Sequence, residues 1–109
     1  METQRYELFD DERLQIKRPL LHVAYEVLTL EEQHRFELLC QEVCAEIPPR
    51  IQAFEALYMG YFEELHTAED DATFYRLMEK MNDLSCRIAD LNVLFLYIEG
   101  NFILTSTQA

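Results

Sequence analysis

Apolar residues recur along the last third of the chain at steps of three and four. Phe74, Leu77, Met81, Leu84, Ile88, Leu91, Phe95, Ile98 and Phe102 form one unbroken series. Such spacing winds a continuous apolar seam along one side of an α-helix. It predicts a helix from Asp71 to Ile98, roughly 42 Å long at 1.5 Å per residue. Arg76, Glu79, Lys80, Asp83, Arg87 and Asp90 lie off the seam, so its first half is amphipathic. From Val93 to Ile98 every position is apolar, which leaves no side for water. This end is expected to be enclosed by the fold, by a second copy of the chain, or by a partner. A competing pattern covers the same residues. Val93–Ile98 is β-favouring, and Gly100-Asn101 has the form of a hairpin turn leading into Phe102–Thr105. The persistent heptad step favours the helix, with Gly100 as its terminating glycine.

Upstream, Thr29-Leu30-Glu31-Glu32 has the capping-box form, a threonine followed three positions later by a glutamate. It predicts a helix from Leu30 to about Ile47, with Phe36, Leu39, Cys40, Val43 and Ile47 inward. Pro48-Pro49 then predicts a break, because two prolines remove two donors and the first restricts Ile47. A further helix follows to about His66, carrying Ile51, Phe54, Tyr58, Tyr61, Phe62 and Leu65 on one face. One kinked helix running through the prolines would keep the same apolar period. Gly60, a residue that costs roughly 1 kcal/mol against alanine inside a helix, reads as a point of close helix approach. Thr67 or Asp70 suits the cap of the last helix.

Pro19 fits the first turn of a short helix, Leu20–Leu28, with Leu20, Val23, Ala24 and Val27 on one side. Residues 1–18 show no sustained period and read as an arm or a short helix. The fold expected is all-α. It is a small antiparallel helical bundle of three main helices plus a short N-terminal one, with residues 19–104 as the domain and 105–109 as a tail.

Charge changes the picture. The 109 residues include 21 acidic against nine basic side chains, a formal net charge of −12. Between Pro19 and Tyr75 only Arg35 and Arg50 oppose a long series of carboxylates. Such a surface repels nucleic acid and anionic membranes and draws basic partners inward. Direct nucleic-acid binding and membrane association are therefore not expected. No run of about eighteen uncharged apolar residues is present to span a bilayer. Cys40, Cys44 and Cys86 form neither a zinc pattern nor an even disulfide set, and the first residues are polar, so a cytoplasmic home is expected.

Candidate chemistry is sparse. Glu31-x-x-His34 and Glu63-x-x-His66 share the form of the di-iron bundle motif. Glu31 and His34 fall roughly 150° and Glu63 roughly 160° from the apolar centre of their helices, so these ligands mostly point away from a bundle interior. No metal ligand set and no cofactor are assigned. Cys40 lies on the apolar face and reads as a packing residue, with Cys44 one turn on. No phosphate loop or nucleophile elbow is present, so no catalytic residue is assigned.

Aromatic and apolar residues beyond the needs of a small core mark interfaces. On this ground Tyr58, Tyr61, Phe62, Val93, Leu94, Leu96, Tyr97 and Phe102 form the expected partner-binding set. Glu31, Glu32, Glu63, Glu64, Glu69, Asp70 and Asp71 form the expected acidic patch around it. The expected function is non-enzymatic: an adaptor, regulator or dedicated chaperone that binds a basic or amphipathic protein partner, or itself as a homodimer. The alternative is an acidic mimic of nucleic acid that blocks a basic nucleic-acid-binding protein. A carboxylate and histidine metal-binding bundle ranks third.

Overall fold

The computed structural model describes residues 5–103. The chain begins with a β-hairpin, β1 (Tyr6–Asp11) and β2 (Ile16–Leu21), and passes through a single 3-10 turn at Tyr25–Val27. Two long helices follow, α1 (Leu30–Thr67) and α2 (Asp71–Ile98), and a wide π-type turn, Glu99–Ile103, closes the chain. The helices pair antiparallel, and the hairpin lies against the half that holds the start of α1 and the end of α2. The molecule is flat and long, 60 × 35 × 16 Å.

This is not the all-α three-helix bundle expected from the pattern. The first correction concerns Pro19, which sits within β2 rather than opening a helix. The register pairs Leu8 with Pro19, and the His22 amide donates to the Arg5 carbonyl at 2.8 Å. In an antiparallel ladder hydrogen-bonded pairs alternate with open ones, so Arg5–His22 being bonded makes Leu8–Pro19 an open pair. The missing donor of Pro19 therefore faces away from β1 and removes nothing from the ladder. Leu14, in the connection, and Ile16 are buried against the helices, and Tyr6 and Leu8 pack at their margin. The turn is unusual in placing a non-glycine residue, Gln15, at φ 55°. Its register is helped by the Asp11 carboxylate, which accepts from the Leu14 amide at 3.0 Å. The expected helix Leu20–Leu28 is thus the end of a strand, a link and one 3-10 turn.

The second correction is the absence of a break at Pro48-Pro49. α1 runs through both prolines for 38 residues, about 57 Å. Phe36, Cys40, Val43, Ile47 and Phe54 are all buried along one seam that crosses the proline pair without losing phase. Both prolines are exposed on the opposite side. The carbonyls they leave without an intrahelical partner are those of Cys44, which is buried, and Ala45, which is exposed. Packing of the seam outweighs the local rule.

The capping box at Thr29 is present in both directions. The Glu32 amide donates to the Thr29 hydroxyl at 3.1 Å, and the Thr29 amide donates to the Glu32 carboxylate at 2.9 Å. α2 spans Asp71–Ile98 as its period predicts, with Leu77, Met81, Leu84, Leu91, Leu94 and Ile98 buried. The chain past Ile98 keeps a helical path, so the described part of the competing hairpin is not a strand, and Gly100 has no positive φ. Gly60 is exposed with open space around it, so it is not a point of helix approach. Residues 104–109, including the end of the expected domain and its tail, lie outside the described residues.

Candidate functional site

Three regions of the molecule follow from this architecture. At the covered end, the hairpin and the terminal turn seal an aromatic cluster. Phe36 meets Phe102 edge-on at 5.0 Å and Tyr6 at 5.6 Å, and Tyr25 lies 5.8 Å from Phe102. The Tyr25 hydroxyl donates to the Glu37 carboxylate. Burial and then that carboxylate push the Tyr25 phenol up to about 12. Burial likewise pushes the Cys40 thiol up to about 12 and the Cys44 thiol up to about 11, with nearby negative charge adding to each. These thiols stay protonated and pack as small hydrophobes, which is poor provision for thiolate chemistry. Phe102 and Leu94, both expected on a docking surface, belong instead to this interior; Leu94 is buried and Phe102 half-buried.

The far tip is the α1–α2 connection. It gathers Glu63, Glu64, Glu69, Asp70 and Asp71 at the two helix ends. Asp70 precedes α2, and its carboxyl lies below the ordinary carboxylate range because the Thr73 hydroxyl and then its amide face it, although the side chain does not reach capping geometry. Glu31 and Glu32 stand at the opposite end of α1, so the expected acidic patch is two separate groups. Glu32 is already engaged in the cap, and its carboxyl is held low chiefly by the Thr29 amide. The same straight path separates the two Glu-x-x-His motifs by about 48 Å along one axis, where a bundle site needs them on facing helices. Among the described residues no group of three or more His, Cys, Asp or Glu side chains converges.

Between tip and covered end, Tyr58 and Tyr61 are half-buried against the core. The Lys80 ammonium lies 5.3 Å from the Tyr61 ring centroid and the Arg87 guanidinium 5.8 Å from that of Phe54. A shallow groove of about 340 Å³ opens here, lined by Leu57, Tyr61, Glu79, Lys80, Asp83, Leu84 and Arg87. Its cations are engaged with aromatic rings, and Arg87 Nε also pairs with Asp83 at 2.8 Å. Phe62 is partly exposed and stacks edge-on with His66 at 4.7 Å.

The third region is the outer face of α2. Val93, Leu96 and Tyr97 are 64%, 68% and 57% exposed on the side away from the core. They are the members of the expected binding set that form one open surface. The sequence reading missed their neighbours on the same strip, Asn82, Cys86, Ala89 and Gly100, all exposed. The signal was there as a second heptad series: 82, 86, 89, 93, 96 and 100 step by four and three. All six lie within about 40° of the direction opposite Leu91. One edge of the strip is fixed by the hairpin turn. Arg13 pairs with Asp90 at 2.6 Å, which raises the guanidinium pKa, and Arg87 donates to the Arg13 carbonyl at 3.1 Å.

Comparison with known proteins adds no assignment: no protein-family model, no curated protein and no solved structure matches this chain. Among the described residues no helix is long and apolar enough to cross a membrane, and no polar or charged residue is buried.

Proposed function

We propose that the protein is a non-enzymatic interaction protein whose working surface is the outer face of α2, and that a second copy of the chain occupies it. The observation that carries this reading is the exposure of Val93, Leu96 and Tyr97 on one strip of a helix whose other side is already the core. Large apolar side chains gathered on such a strip lose free energy by leaving water, at about 25 cal/mol per Å² of apolar area. Contiguous patches of this kind mark contact sites on otherwise soluble chains.

The acidic nucleic-acid mimic has less support. Of its Pro19–Tyr75 carboxylates, Glu31, Glu32, Glu63, Glu64, Glu69, Asp70 and Asp71 divide between the start of α1 and the tip, with Glu42, Glu46 and Glu55 exposed along the helix between them.

Light scattering on a sizing column at low and high salt tests the proposal. The expected result is a dimer in both, because an apolar contact is little affected by screening. Val93→Glu is expected to give a monomer with unchanged helicity, since the residue contributes little to the core. A wild-type monomer at every concentration up to the millimolar range overturns it.

A further inference from the structure

We infer that the free edge of β1 takes up an extended, basic segment of another protein as a third strand. The hairpin has two edges, and they differ. β1 pairs with β2 alone, and β2 is the strand that lies close to α1. No residue of β1 is buried. The register and the bonded Arg5–His22 pair turn the amides and carbonyls of Tyr6, Leu8 and Asp10 away from β2. Among the described residues no hydrogen bond is made to them. On β2 the outward positions are Lys17, Pro19 and Leu21. Pro19 has no donor to offer, so that edge is closed by the same residue that leaves the inner ladder intact. β1 carries no proline, and its outward donors and acceptors are a template for one more strand.

The carboxylates decide what can use the template. Glu7, Asp10 and Asp11 lie on β1 and Glu12 follows, with no cation among them. Across the hairpin His22 meets Glu7 at 2.7 Å and Arg18 meets Asp11 at 3.3 Å. Asp10 and Glu12 have no ion-pair partner among the described residues. A second copy of β1 brings the same acids. Antiparallel registers centred on Glu7 or Phe9 set Glu7 against Glu7 or against Asp11, and like charges directly opposite are destabilising. The register centred on Leu8 sets Asp11 against Arg5, whose guanidinium already serves the Val27 carbonyl and the Glu32 carboxylate. A segment with lysine or arginine at alternate positions fits instead. Backbone bonds supply the pairing, and its cations stand beside Glu7 and Asp11 on one face of the sheet or beside Asp10 on the other. Phe9, 52% exposed between Glu7 and Asp11, is an apolar rest for their aliphatic stems. The acids thus turn away acidic strands and copies of the chain while drawing basic ones.

The test uses a blocked peptide of alternating lysine and valine, of the length of β1, read by fluorescence anisotropy against the full chain. Binding that weakens with added salt is expected. Two N-methylated versions, one at the lysines and one at the valines, each lose the donors along one edge of the strand. One is expected to bind as the parent does and the other to fail, because only one edge faces β1. Asp10→Pro removes an outward donor and a charge without touching the ladder, and is expected to weaken binding about tenfold. Asp10→Asn, which keeps the donor, is expected to weaken it about threefold. Circular dichroism checks that both variants are folded. Val93→Glu, altered on the outer face of α2, is expected to bind as wild type does, so this inference stands or falls apart from the proposed self-association. No binding at millimolar peptide, equal effects of the two N-methylations, or a folded Asp10→Pro chain that binds like wild type overturns the inference. So does a loss of binding in Val93→Glu, which seats the peptide on α2. A wild-type dimer that Asp10→Pro makes monomeric overturns it too, because a second copy then holds the edge.

Discussion

The two long helices face water with different chemistry. On the outer side of α1 stand Glu31, Arg35, Leu38, Glu42, Ala45, Pro49, Gln52, Ala56, Met59 and Glu63, a mixed surface interrupted by a proline pair. On the outer side of α2 stand Asn82, Cys86, Ala89, Val93 and Leu96, a surface that grows more apolar toward its end. Inward, the helices are alike, each with a single buried seam. A helix needs one apolar stripe to pack against its neighbour. α1 has that stripe, and its exposed apolar residues, Leu38, Leu57 and Met59 among them, are scattered between polar ones; the two prolines are tolerated because they are exposed. α2 has two, and the second has no partner in its own chain. The contrast shows where the molecule is finished and where it is open.

The sharpest way to break the comparison is to truncate α2 on each side in turn. Leu91→Ala is expected to destabilise the fold by about 2–5 kcal/mol, the range for a fully buried leucine. Val93→Ala, two residues on and on the opposite side, is expected to leave monomer stability within about 0.5 kcal/mol. Urea unfolding at a concentration low enough to keep the chain monomeric measures both. Equal costs would mean that the outer face is part of the monomer core.

On α1 the matching change is at the prolines. Replacing both Pro48 and Pro49 with alanine is expected to raise stability by as much as about 3 kcal/mol, because two intrahelical donors return and nothing packed on that face is disturbed. A loss of stability instead would show that the prolines set a bend on which the inner seam depends.

The smallest effect concerns pH and the inward side of α1. The Cys40 and Cys44 thiols, ordinarily near 9.0, are raised by burial to about 12 and about 11. A group whose pKa is higher folded than unfolded contributes stability that is complete below the unfolded value and is lost as pH rises through the folded one. Stability should therefore decline progressively between about pH 9 and 12, joined by Tyr25 from 10.0 upward. Denaturant midpoints measured across that range check it, and Cys40→Ala should flatten the slope.

Much of α2 was legible from its sequence. A long uninterrupted period fixes both bounds of a helix when nothing local contradicts it, and Thr29 and Glu32 marked the start of α1 in the same way. The proline pair was misread because a local rule about donors carries no information on which face the prolines occupy. In phase with the seam they would have ended the helix; opposite it they do not. The hairpin was illegible for a related reason. Its strands are six residues each, its turn lacks the glycine or asparagine that announces such turns, and Pro19 argues against a strand unless its pairing is known. The exposed apolar strip of α2 was half legible. Val93, Leu96 and Tyr97 stood out by size, whereas Cys86 and Ala89 belong to it only through a periodicity that the stronger inner seam masked.

The hairpin turn has a kinetic meaning as well. Arg13 reaches Asp90 across 77 positions of sequence, and Arg87 holds the carbonyl of the same arginine. The hairpin and the part of the helix pair next to the α1–α2 connection close short loops, whereas Phe36 and Phe102 at the covered end are 66 positions apart. Docking the turn on α2 therefore requires α2 to lie in place beside α1. That contact lies along the edge of the outer face of α2, so the hairpin turn borders the surface on which the apolar strip is exposed.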